Sequence, residues 1–184
     1  NKNAYPKKNS ISFLINTSIP VSDRSSLYAN ASFATKKVSS FANHRTPYWV
    51  NPANVLNSPD GFTPTFIGDL TDYGATLGYK TKTESEWNID LSATFGGNKI
   101  LYTVGNTFNA ALGASSPINF RPGGFRFNNI IGNIDVSKRL SEHIALAFGS
   151  EARKEEYEIY TGDPASYYQT GSISFPGSSP ENSG

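Results

Sequence analysis

The 184 residues carry 16 Lys and Arg against 15 Asp and Glu, a formal charge of +1 that gives no hint of a nucleic-acid or acidic partner. Cysteine is absent, which excludes a disulfide framework and thiolate metal sites. No apolar run approaches the ~18 residues of a membrane-spanning helix, a limit that says nothing of strands. Hydrophobic residues make up 37% and mean hydropathy is -0.41, yet aromatics reach 13%. That combination fits a strand-rich chain with one wet face. Methionine is also absent, position 1 included, so the chain is expected to be processed or cut from a longer one.

Taken in order, Ile11 to Ile19 predicts a first strand, with Ile11, Phe13, Ile15 and Ile19 on one face, closed by Pro20. After the polar turn Ser22 to Ser25, Leu27, Ala29, Ala31 and Phe33 alternate with Tyr28, Asn30 and Ser32 in a second strand. Pro47, Pro52, Pro59 and Pro64, with the Asp60-Gly61 turn signal, predict a long loop over about residues 39–70. A third strand begins near Asp72, with Tyr73, Ala75, Leu77 and Tyr79 on one face, and Thr81 to Ser85 turns the chain. The fourth strand is the clearest. Trp87, Ile89, Leu91, Ala93 and Phe95 alternate without exception with Asn88, Asp90, Ser92 and Thr94, long enough to cross a bilayer at a tilt.

Gly96-Gly97-Asn98 is expected to end that strand and to open a second long loop over about 97–124, with a short helix somewhere in Leu101 to Leu112. A fifth strand follows over Phe125 to Lys138, then the turn Arg139 to His143. The sixth runs from Ile144 through Leu146 and Phe148 into Glu151, Arg153 and Glu155, and a tail over about 161–184 reads as loop. The expected fold is therefore all-β, with about six long antiparallel strands in consecutive hairpins. Short turns alternate with long loops, the habit of outer-membrane barrels, whose turns gather at one rim and loops at the other. A β-sandwich with Greek-key connections would mix the two lengths at both ends.

The chain resembles the barrel domain of TonB-dependent outer-membrane receptors of the Bacteroidetes type. The likeness rests on Pro59-Asp60-Gly61-Phe62, Trp87 with Asp90-Leu91-Ser92, Phe95-Gly96, Asn109-Ala110 with Leu112-Gly113, and Ser116-Pro117 with Phe120 and Gly123-Gly124. It continues through Asn133 and Asp135 to Gly149, Glu151, Arg153, Glu155, Tyr157, Ile159, Gly162 and Ser166-Tyr167. The resemblance implies an open section from the middle of a large barrel of about 22 strands, without the plug domain that precedes such barrels. It implies residence in the bacterial outer membrane among its lipids. It also implies a TonB-type energy-coupling protein, reached through the missing plug, and an imported small-molecule ligand such as an iron chelate or oligosaccharide. The alternative is a secreted soluble β-sandwich that binds carbohydrate.

Chemistry-bearing residues are few. His44 and His143 lack metal-ligand spacing and read as loop and turn residues. The glycine pairs follow no phosphate-binding pattern. Glu151, Arg153, Glu155 and Glu156 form an alternating charged row suited to a solvated face and cross-strand pairing rather than to acid–base work. No nucleophile–base pair appears, so neither an enzyme nor a cofactor or metal is expected. Ligand contact is expected at the loop end, where Tyr48, Trp49, Phe62 and Arg121 offer aromatic faces and a cation, with Arg153 and Glu155 below them as lumen contributors. The competing reading of the aromatic loop residues is that they pack the loop onto itself.

Overall fold

The computed structural model describes residues 6–47 and 58–169. They form one open antiparallel sheet of six strands in sequence order: β1 Lys7–Ser22, β2 Ser25–Phe41, β3 Thr65–Lys82, β4 Asn88–Gly105, β5 Asn119–Arg139 and β6 Ala145–Thr161. Every neighbour is the next strand in the chain, so the sheet is a run of hairpins with no crossover. Connections of 2, 23, 5, 13 and 5 residues join them, so tight turns lie at one end and long segments at the other. Two short helices sit at the long-connection end, a 3-10 helix α1 at Ala110–Ser115 and α2 at Pro164–Tyr167.

The strands run 16 to 21 residues, well beyond the alternating stretches that predict them. Boundaries of several strands differ from expectation. Pro20 does not close β1, which begins at Lys7 rather than Ile11 and runs on to Ser22 through a register irregularity at Pro20, a place where a strand tolerates proline. β2 continues through Lys36 and Lys37 to Phe41, and β3 starts at Thr65 rather than near Asp72. Gly96-Gly97-Asn98 does not end β4, which runs on to Gly105, and β5 begins at Asn119 rather than Phe125. The helix expected within Leu101 to Leu112 lies later, because Leu101 to Gly105 is strand. The connecting segments accordingly shrink to residues 42–64 and 106–118.

The physical reason for the Gly96 difference is a crossing side chain. Tyr73 on β3 reaches across Gly97 on β4 to hydrogen-bond Asn128 on β5, all three lying in one cross-strand row. A Cβ at Gly97 would sit 2.4 Å from the Phe127 carbonyl oxygen and 3.0 Å from the Tyr73 hydroxyl. The glycine therefore marks close approach within a strand, one of its two meanings there, and not a stop. Gly78 repeats the device: the Tyr28 ring lies over it, where a Cβ would be 2.1 Å from Cζ, and the Tyr28 hydroxyl donates to Asp90 Oδ1 at 2.8 Å.

Only Phe62, Ala110 and Phe120 are buried hydrophobics among the described residues, and all three lie at the long-connection end. Among the described residues no second layer covers the sheet. Leu91, at the centre of the clearest strand, stays 43% exposed, and Ile11, Phe13, Ile15, Leu77 and Phe148 are more exposed still.

Candidate functional site

Register fixes which side chains share a face, because residues opposite one another in an antiparallel pair point the same way. One face carries Ile11, Phe13, Ile15 and Ile19 of β1, then Leu27 to Phe33 of β2 and Tyr73 to Tyr79 of β3 at alternate positions. It continues with Ile89, Leu91, Ala93 and Phe95 of β4, Ile130, Ile134 and Val136 of β5, and Leu146 and Phe148 of β6. All of this lies in the half nearest the tight turns. The opposite face of the same half carries Tyr28, Asn30, Thr76, Asp90, Ser92, Thr94, Asn133, Asp135, Glu151 and Arg153, with Leu14 and Ile131 as apolar exceptions.

That polar face is tied together across strands. Tyr28 and Lys80 both reach Asp90, the lysine at 3.4 Å with its ammonium 4.7 Å from the Tyr28 ring centre. Thr76 and Thr94 share a hydroxyl hydrogen bond of 2.9 Å. Arg153 is clamped by Glu151 at 2.8 Å and Glu155 at 3.2 Å along its own strand. The charges are close to balanced, so this surface is built for water rather than for one ion.

The apolar face forms a bounded belt. Its upper edge passes through Ile11, Phe33, Tyr73, Phe95, Ile130 and Ala152, and drops two residues at each of three strand pairings, six residues over five gaps. Its lower edge, through Ile19, Leu27, Tyr79, Ile89, Val136 and Leu146, drops four. At ~3.3 Å per residue and ~4.8 Å between strands, those steps incline the strands by about 29–40° to the normal of a level belt. Aromatic rings mark both margins: Phe13, Phe33, Tyr73 and Phe95 above, and Tyr79, Trp87 and Phe148 below. Tyr73 meets Phe95 at 5.7 Å, and Trp87 meets Phe148 edge-on at 6.0 Å, with Lys138 Nζ 5.4 Å from the Trp87 ring centre. Beyond the upper margin the same face turns ionic, with Lys37–Asp69, Arg126–Glu158 and Lys154–Glu156 pairs.

In the upper half the faces exchange character. Below the belt's upper edge the second face is polar, but above it that face carries Val38, Phe66, Leu70, Ile100, Tyr102, Phe125, Phe127, Tyr157 and Ile159. Four of these rings run in series, Phe66 to Tyr102 at 5.6 Å, Tyr102 to Phe125 at 6.1 Å and Phe125 to Tyr157 at 5.8 Å. Sequence reading missed Phe66, Tyr102 and Phe125 because it placed them in loops or at strand starts. The signal was present in the alternation of Ile100, Tyr102 and Val104 with Leu101 and Thr103.

The long connections meet above this row. Phe62 and Phe108 pack at 4.8 Å, Asn106 donates to the Thr63 carbonyl at 2.8 Å, and the Asn109 amide donates to the carbonyls of Ala165 and Tyr168 at 2.9 and 2.8 Å. The Asn109 side-chain oxygen also caps α1 through the Ala111 N–H. A cleft of about 360 Å³ is lined by Phe108, Phe120, Tyr167 and Tyr168 among others.

Of the sequence-predicted contact residues, Tyr48 and Trp49 lie outside the described residues. Phe62 is buried against Phe108 and joins two connections. Arg121 is held by its backbone, its N–H donating to Asp163 Oδ2 at 2.8 Å and its carbonyl accepting from the Asp163 N–H at 2.7 Å. Arg153 and Glu155 are not brought to the loop cluster: Arg153 pairs with Ile131, eleven residues along β5 from Phe120, roughly 36 Å at strand rise. Among the described residues no three His, Asp or Glu side chains group as metal ligands would. Neither a protein-family model nor a curated protein matches this chain.

Proposed function

We propose that this chain forms part of the wall of an outer-membrane barrel, in a receptor that imports a scarce nutrient with energy from a TonB-type partner. The observation that carries the reading is the stepped apolar belt. A soluble sheet that packs on a second sheet has no need for a level margin that cuts across inclined strands, whereas a bilayer imposes one. The inclination of about 29–40° overlaps the range of roughly 35–45° for membrane barrel strands, and rings at both margins match the girdles of such barrels. From Ile89 to Phe95 the belt runs six residues, and the Trp87 ring at its lower margin extends it to eight, about 26 Å along the strand and about 20–23 Å along the normal, close to the ~25 Å apolar band of these proteins. The polar face opposite the belt would then line the water-filled lumen. Import by capture and release asks no bond-making of this segment.

Spin labels supply the test, because the chain has no native cysteine to compete with introduced ones. In lipid vesicles, labels at Ile89, Leu91 and Ala93 are expected to collide with dissolved oxygen and labels at Asn88, Asp90 and Ser92 with an aqueous nickel reagent. Labels at Ile89, Leu91 and Ala93 shielded from both reagents would mean burial in protein, and would favour the soluble β-sandwich that binds carbohydrate.

A further inference from the structure

Resting on the barrel reading, we infer that the ring series Phe66, Tyr102, Phe125 and Tyr157, with the cleft above it, is a stacking site for a neutral carbohydrate. The rings lie on the face opposite the apolar belt, so lipid does not cover them if the belt is the membrane face. They are also not core: Phe66 is 44% exposed and Tyr157 62%, with Ile159 beside it at 73%. A structural ladder stabilises its own sheet by cross-strand packing, but a row that leaves its outer rings this bare presents flat apolar surface to whatever occupies the lumen.

The row and the cleft are continuous. Val104 and Phe120, opposite one another in the register, line the cleft, and the strand row that holds Tyr102 comes next below them. The cleft adds the hydroxyl and amide groups of Thr107, Tyr167, Tyr168 and Gln169, and among the described residues no Lys, Arg, Asp or Glu side chain lines it. On the ring-bearing part of the face the charged groups are Lys36 and Asp72, which neutralise one another at 2.8 Å, Lys8 opposite Val38 on β1, and Glu155, two residues from Tyr157 and engaged by Arg153 at 3.2 Å. An anionic chelate is gripped by clustered Arg or Lys through charge-assisted bonds; here Lys36 is engaged by Asp72, and Lys8 stands on β1, two or more strands from every ring of the series. A sugar ring needs what is present: an aromatic plane for its C–H face, and neutral donors and acceptors for its hydroxyls.

The test uses the complete polypeptide purified in detergent, with cellohexaose and maltohexaose as neutral probes and ferric citrate as the anionic one. Calorimetry is expected to give saturable binding of a neutral hexasaccharide, weakened about tenfold by Tyr157→Ala and by Phe66→Ala, and none of ferric citrate. Fluorine NMR of 3-fluorotyrosine protein provides a readout that no alanine variant has to survive: the Tyr102 and Tyr157 resonances should move on saturation. Saturable binding with both resonances unmoved would overturn the proposal, as would absence of binding by either sugar, or tight ferric citrate binding that moves them. Alanine variants that lose stability but keep affinity would show a structural ladder only, and also overturn it. The spin-label experiment reports separately on the barrel, so binding without lipid exposure would sink the barrel reading and leave the stacking site standing.

Discussion

The half of the sheet nearest the tight turns and the half nearest the long connections use the same six strands for opposite purposes. Near the turns, apolar residues lie on the face that carries Leu91 and polar ones on the face that carries Ser92. Near the long connections the arrangement exchanges, with ion pairs continuing the first face and aromatic rings the second. Strand alternation alone cannot produce this, since a regular strand keeps one character per face along its length. The difference teaches that two environments change along these strands, one outside each face. On the proposed barrel reading, a membrane margin would account for the first, and an occupant of the lumen for the second.

The largest expected effect breaks the comparison within the turn half. Leu91→Lys places a charge at the centre of the belt, and should cost about 2–4 kcal/mol in a folding titration into lipid vesicles, whereas Ser92→Lys on the polar face should cost little. Equal penalties would remove the distinction between the faces. Above the belt the same pair of faces should respond differently, because the first is already ionic there.

The turn half was largely legible in the sequence, because period-two alternation over Ile11 to Ile19, Leu27 to Phe33 and Trp87 to Phe95 has no other simple reading. The alternation of short and long connections also survives in the structure, at 2, 23, 5, 13 and 5 residues. The loop half was less legible for two physical reasons. Gly96-Gly97 and Pro122-Gly123-Gly124 look like turns but serve close approach and a register shift inside paired strands. Exchange of faces at the belt margin also hides alternation from any pattern that assumes one apolar side. The candidate site suffered accordingly: Phe62 was placed at the loop end, but its packing on Phe108 and the ring row beneath depend on register that spacing does not reveal.

A smaller effect sharpens the boundary between the halves. Gly97→Ala would force a Cβ to within 2.4 Å of the Phe127 carbonyl and displace the Tyr73 hydroxyl from Asn128. It should destabilise by about 1–3 kcal/mol, as overpacking does. Gly132→Ala, on the same face but with open space where its Cβ would stand, should stabilise by roughly 0.5 kcal/mol through the lost freedom of glycine in the unfolded chain. Opposite signs at the two glycines, measured by urea unfolding from the same vesicles, would separate the close-approach role from mere strand weakness. Two losses of equal size would deny it.

The smallest effect lies at the turn rim and concerns pH. Residues 83–87 close on themselves: the Thr83 N–H donates to the Trp87 carbonyl at 2.9 Å, the Glu86 N–H to the Thr83 carbonyl at 3.0 Å, and the Trp87 N–H to Thr83 Oγ1 at 3.1 Å. Glu86 adopts a left-handed φ of 69°, a conformation a side-chain-bearing residue holds only under constraint. Its carboxylate pairs with Lys82, four residues back, and the hydrogen bond and charge of that ammonium hold its pKa below the ordinary carboxylate value. A folded pKa below the unfolded one means the pair's contribution is present above the unfolded pKa and is lost as pH falls through the folded pKa. The carboxylate is fully exposed, so the contribution is slight and screened by salt. NMR titration of the Glu86 side-chain carbon should give a midpoint below the ordinary carboxylate value, and Lys82→Gln should raise it. The stability difference between wild type and Glu86→Gln should shrink toward zero on acidification. An unchanged Glu86 midpoint in Lys82→Gln would mean that the turn is held by its backbone bonds alone.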